Sequence, residues 1–223
     1  MIEEEPAEEE DYTTEELTDL VFGMFTLFMQ HRFEKRGTHL FELVKKGEDM
    51  TAVCEECAAA FLEEYPVFRE PFAACGGAKE IAVLFSLGEG TVPTKTFRSY
   101  WIWQEKPGCA PGAASAEAAG KWLMFVQPEE ADSAWEKIRD ATLAGKLGIG
   151  AKISTSKENE DSHDDRKVIY VFTENWENEE DVMRVRAELK TIGFTDRIGY
   201  KRNLDTYAGE YREKGKRVTY YSV

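Results

Sequence analysis

The chain has 223 residues, 42% of them hydrophobic and 32% charged. That balance fits a soluble globular protein with a real core and excludes a fibrous or wholly disordered one. The formal charge of −15 excludes broad electrostatic attraction to nucleic acid, although a local basic site remains open.

Chain order begins with an acidic segment, Met1 to Asp11, whose seven acids stand without a base. Such a run reads as a disordered acidic tail over residues 1–12. Thr13 or Thr14 then caps a helix, with Glu15 and Glu16 in its first turn. Leu17, Leu20, Val21, Met24, Leu27, Phe28 and His31 fall on one helical face, and the apolar surface is broad enough to suggest burial on two sides. A second helix starts near Thr38 and stops at Gly47, and a third runs from about Asp49 to Tyr65, where Pro66 ends it. Residues 13–75 are therefore expected to be helical.

Strand signals begin at Ile81 to Phe85 and are strong from Phe97 to Gln104, opening an α+β sheet domain over residues 76–223. Pro107 to Gly120 is rich in Gly, Ala, Ser and Pro and reads as a mobile linker or hinge. Next comes one supersecondary unit written twice. Lys121 to Val126 is a strand, Pro128 opens a helix, and Ala151 to Thr155 is a short strand. Lys167 to Phe172, a helix from about Asn178, and Arg197 to Lys201 repeat the pattern. Two β-α-β units predict a small sheet backed by helices. The helices turn Ala131, Trp135, Ile138 and Thr142, and Val182, Val185, Leu189 and Ile192, toward it. Leu20 to Met29, the longest apolar run, is too short to cross a bilayer, and no secretory or transit signal is visible. Cytosol or nucleus is the expected compartment.

Few residues offer chemistry. Cys54 and Cys57 have knuckle-like spacing and, with Cys75 and Cys109, form a conceivable zinc set, but they lie in an apolar helical pattern where thiols pack as small apolar groups. His31 and His39 sit in the helical third, and His163 lies in a charged loop without the ligand spacing of a calcium loop. No metal and no cofactor is expected. Trp101 and Trp103 are two apart on a strand and share a face. Two indoles there either stack a base or pack in the core, and core packing is the commoner outcome. Lys121, Lys152, Arg166, Lys167, Lys201 and Arg202 fall at or beside strand ends. If they converge on one edge, they suit phosphate; otherwise each is an ordinary solvated residue.

Gly120 to Val126, Gly145 to Gly148, Ala151 to Thr155, Glu180 to Val185 and Tyr200-Lys201 together resemble the basophilic leukaemia expressed protein family over about residues 100 to 223. The resemblance implies a fold like that of the cap-binding translation initiation factor: a curved, mainly antiparallel sheet with helices on one face. It also suggests association with RNA. A more distant resemblance is to bacterial phosphothreonine lyases. It implies a base at Lys152 and a phosphate-binding arginine at Arg166, but puts Leu123 where the general acid belongs, and losing that acid costs about 10²–10⁴-fold.

The first expectation is thus a non-enzymatic module that binds RNA, a nucleotide or a phosphorylated ligand. Lys121, Lys152, Arg166 and Lys201 would meet phosphate, and Trp101 and Trp103 would stack. The alternatives are a lyase-like enzyme with impaired chemistry and Lys152 as its base, and an adaptor that docks a protein partner through the N-terminal helices.

Overall fold

A computed structural model describes residues 13–109, 117–159, 164–207 and 219–223. The acidic tail, the middle of the expected linker, His163 and residues 208–218 lie outside them. Two compact units divide the chain, one up to Thr91 and the other from Val92.

Among the described residues the first unit holds five α-helices: α1 (Thr14–Lys35), α2 (Leu40–Lys46), α3 (Thr51–Glu64), α4 (Arg69–Ala74) and α5 (Gly77–Leu87). Local chemistry sets their ends. Thr13 accepts from the Glu16 amide while the Glu16 carboxylate accepts from the Thr13 amide, which satisfies two helix-end donors reciprocally. Gly47 and Gly88 adopt the left-handed conformation that closes α2 and α5. The core is aromatic, with Phe22, Phe25, Phe61 and Phe85 fully buried.

Two expectations fail here. Ile81 to Phe85 is helical, because Ile81, Ala82 and Phe85 bury one face of α5 at helical spacing. A five-residue apolar run cannot by itself tell a strand from a buried helix. In α1 the buried face is Thr18, Val21, Phe22, Phe25, Thr26, Met29 and Phe33, while Leu20 and Leu27 are exposed. A helix apolar nearly all round leaves its inward face undetermined by sequence.

Among the described residues the second unit forms a six-stranded sheet: β1 (Trp101–Glu105), β2 (Gly120–Val126), β3 (Gly150–Ser154), β4 (Lys167–Thr173), β5 (Gly199–Arg202) and β6 (Tyr221–Ser222). The expected aromatic strand begins at Trp101 instead of Phe97. Helices α6 (Pro128–Leu143) and α7 (Glu179–Thr191) follow β2 and β4, and a short α8 (Asn203–Tyr207) follows β5. The strand order is β1-β3-β4-β2-β5-β6, antiparallel at every pairing. The two expected β-α-β units are present and interleaved. β4 lies between β2 and β3, and β2 lies between β4 and β5, which is the split β-α-β arrangement.

One core covers one face of the sheet. Trp122, Met124, Ala151, Ile153, Ile169, Val171 and Tyr200 point into it and meet Trp135, Ile138, Val182, Val185 and Leu189 of α6 and α7. Trp122 also donates its indole N–H to the Val182 carbonyl, 3.1 Å away. Because side chains alternate along a strand, every second residue projects from the opposite face, which carries no helix of this core. The fold is therefore α+β with an antiparallel sheet, helices on one face and a helical N-terminal region. No helix among the described residues is long and apolar enough to cross a membrane.

Candidate functional site

The face turned away from α6 and α7 is basic and aromatic by strand alternation. Trp122 faces the core, so Lys121 and Leu123 face away. Ala151 and Ile153 face the core, so Lys152 faces away. The same rule turns Trp101 and Trp103 of β1, Tyr170 and Phe172 of β4, and Lys201 of β5 onto this face. Register then sets the neighbours: Trp103 opposite Lys152, Lys152 opposite Tyr170, Lys121 opposite Phe172, and Lys121 opposite Lys201.

Lys152, Lys121 and Lys201 thus cross the sheet as a row of cations, with Tyr170 and Phe172 of β4 between the first two and Lys201 directly opposite Lys121. The Lys152 Nζ lies 3.7 Å from the Trp101 ring centroid, 4.8 Å from that of Trp103 and 5.3 Å from that of Tyr170. The Lys121 Nζ lies 5.4 Å from Tyr170 and 5.8 Å from Phe172, and donates to Asn203 Oδ1 at 3.1 Å. Lys201 is almost fully buried. Burial and the charge of Lys121 push the Lys152 ammonium down to about 8. Burial, followed by the charge of Lys201, lowers Lys121 as well. Lys152 and Lys121 are each disfavoured as cations by their surroundings, so an anion between them would relieve both.

A hollow of about 1210 Å³ is lined by Lys121, Lys152, Arg166 and Lys201 together with Glu130 and Asp196, while Trp101, Trp103 and Phe172 lie outside its lining. The cations gather on a face and not at a strand edge, because alternation and register bring together side chains that lie far apart in sequence. Arg166 differs from Lys121 and Lys152. It forms a two-pronged pair with Asp164, Nη2 to Oδ2 at 2.6 Å and Nε to Oδ2 at 3.0 Å, and its guanidinium lies 5.1 Å from the Phe125 ring centroid. Its charge is already matched. The other two basic residues singled out by sequence are also engaged elsewhere: Lys167 donates to the Thr155 carbonyl at 2.7 Å, and Arg202 pairs with Asp205 at 2.6 Å between the rings of Trp176 and Tyr220.

The tryptophan pair departs from its commoner expectation. Trp103 is 40% exposed and stacks on Phe172 at 5.4 Å, and Trp101 tilts over Tyr170 at 5.3 Å. Neither joins the core; Trp122 and Trp135 do. Tyr170, Phe172 and Asn203 are site residues that sequence reasoning missed. The period of two in Lys167 to Phe172 was the available signal for the first two.

Cys54 and Cys57 pack in the helical core without exposure, and burial pushes the Cys54 thiol up to about 12. Among the described residues no three His, Cys, Asp or Glu side chains come together as a metal site. Leu123, where the resemblance to lyases requires an acid, lines the hollow with carbon only.

Several solved structures share similarity with this chain. The eIF4E-3 of C. elegans, solved with the 4E-binding protein Mextli and a cap analog, is 16% identical, with 55% of this chain and 68% of that chain covered and a TM-score of 0.41. A schistosome eIF4E, solved with m7GpppA and 4E-BP, is 14% identical, with 55% and 69% covered and a TM-score of 0.43. The Ascaris suum eIF4E-3, solved with an m2,2,7G cap, is 17% identical, with 46% and 61% covered and a TM-score of 0.36. Residues 113–209, which carry both interleaved units, match the family model of basophilic leukemia-expressed protein Bles03.

Proposed function

We propose that the chain is a binding module whose sheet face turned away from α6 and α7 takes a nucleotide or a short single-stranded RNA. The observation that carries this reading is the row Lys152, Lys121, Lys201, with the rings of Tyr170 and Phe172 between the first two. Like charges directly opposite on neighbouring strands destabilise a sheet, and half-buried ammonium groups add desolvation. A phosphate offsets both. Rings beside cations suit a ligand that carries a flat base next to its phosphate. The partly exposed Trp103 is the ring best placed to receive that base. The chain's acidity leaves little long-range attraction, so affinity comes from local contact. With three lysines engaged, log affinity falls with log salt at a slope of about −2.

Titration of tryptophan fluorescence with capped and uncapped oligonucleotides and with free nucleotides tests this. Saturable quenching at low salt is expected. Lys121→Ala is expected to weaken it, and Trp103→Ala to lower affinity by about 1–3 kcal/mol. No saturable change with any of these ligands would remove the proposal.

One observation favours a second reading. Lys152, with its depressed ammonium, could serve as the base of a phosphothreonine lyase-like reaction. Leu123 offers no proton to the leaving oxygen. Incubation with a phosphothreonine peptide decides the matter by mass spectrometry. An unchanged peptide ends this reading, whereas loss of the whole phosphate group that disappears in Lys152→Ala establishes it.

A further inference from the structure

Lys152 differs from Lys121, Lys157 and Lys167 in what surrounds its amine. Lys121 donates to Asn203, Lys157 to the Arg98 carbonyl and Lys167 to the Thr155 carbonyl. Among the described residues Lys152 has neither a hydrogen-bond acceptor nor a carboxylate. Trp101, Trp103 and Tyr170 wall its Nζ instead, and the one charged group acting on it is Lys121, a second cation. An amine set in an apolar wall beside another cation is the arrangement that makes a lysine nucleophilic toward carbonyl compounds.

We infer that Lys152 is a covalent capture site for an aldehyde bearing an anionic group, with Lys121 and Lys201 holding the anion. The anion-holding half rests on the binding reading above; the amine half rests on the aromatic wall. The neutral amine is the reacting form. With its ammonium near 8, about a tenth of Lys152 is neutral at pH 7, against about one part in 2,500 for an ordinary lysine. The nitrogen lone pair attacks the carbonyl carbon, and the carbon–oxygen π pair moves to oxygen. The nitrogen gives up two protons, the oxygen departs as water, and an imine links the side chain to the captured carbon. No oxidant or reductant is needed. The indoles of Trp101 and Trp103 keep bulk water from one side of that imine and offer a flat surface to a conjugated aldehyde.

The probe is pyridoxal 5′-phosphate, an aromatic aldehyde with a phosphate, compared with pyridoxal, which has none. The full chain is incubated briefly with each, the imine is fixed with borohydride, and labelled peptides are mapped by mass spectrometry. Lys152 should take up label at least about tenfold faster than any other lysine, and faster from the phosphorylated probe. Trp103→Ala should slow it by opening the wall. Lys121→Ala should reduce the advantage of the phosphate.

Label spread over surface lysines without preference for Lys152, on protein whose near-ultraviolet circular dichroism is native, overturns the inference. Equal labelling of Lys152 by both probes keeps the amine chemistry and overturns the anion-holding half. Saturable nucleotide binding with Lys152 unlabelled leaves the binding reading standing and removes the capture site alone.

Discussion

Replacing Lys152 by methionine tests the electrostatics on which the site depends. The unfolded chain keeps the Lys152 proton up to about pH 10.5, whereas the folded protein releases it near 8. Below pH 8 the fold therefore carries a proton it holds weakly, and its stability is reduced. That stability returns as the pH climbs from 8 to 10.5, because the unfolded state is then the one that binds the extra proton. At 1.36 kcal/mol per pH unit the penalty on the charged form is at most about 3 kcal/mol. Methionine preserves the unbranched stem and removes the charge. It also forfeits the attraction of the ammonium to Trp101, which at a half-buried site is worth about 1 kcal/mol. The expected net gain at pH 7 is about 1–2 kcal/mol, shrinking toward zero or reversing by pH 10.5. Denaturant titrations at pH 7, 8.5 and 10 would measure it. All five tryptophans lie between Trp101 and Trp176, so their fluorescence follows the sheet unit alone. A stability difference that does not change with pH, or a loss at pH 7, would refute the reasoning.

Other substitutions probe the scaffold. Arg186 is buried and donates to the carbonyls of Phe194, Asp196 and Val223 at 2.7, 2.6 and 3.2 Å, so Arg186→Met should cost about 3 kcal/mol by orphaning them, read from the same tryptophan transition. A Cβ on Gly148 would overlap the Phe172 carbonyl oxygen, and Gly148→Ala should cost at least about 2 kcal/mol by pushing β3 away from β4. Thr13→Ala removes the capping box of α1 and should cost about 1 kcal/mol, visible in far-ultraviolet circular dichroism of the helical unit while the tryptophan transition stays in place.

Features governed by neighbours in sequence were the readable ones. The Thr13–Glu16 cap, the stop at Gly47 and the strand–helix–strand doubling all follow from spacings of a few residues. The inward face of α1 was not readable, because Leu20 and Leu27 are as apolar as Phe22 and Phe25. Ile81 to Phe85 was too short to declare its period. At the site, the lysines stood out by type, but their meeting on one face depends on register: Lys121 opposite Lys201, and Lys152 and Leu123 both opposite Tyr170. The neutralising of Arg166 by Asp164 rests on side-chain conformation, which spacing does not reveal. Nor could the indoles of Trp101 and Trp103 be assigned to a face until the helices were known to cover the other one.

The threading of β4 between β2 and β3, and of β2 between β4 and β5, makes each half of the doubled region a template with a slot cut for the other. Severing the backbone between β3 and β4 should yield two pieces that are each inert in isolation. Mixed together, they should reassemble into the native sheet, because each supplies the strand its counterpart lacks. The lysine row would be rebuilt only in that reunion, since Lys121 and Lys152 belong to one piece and Lys201 to the other.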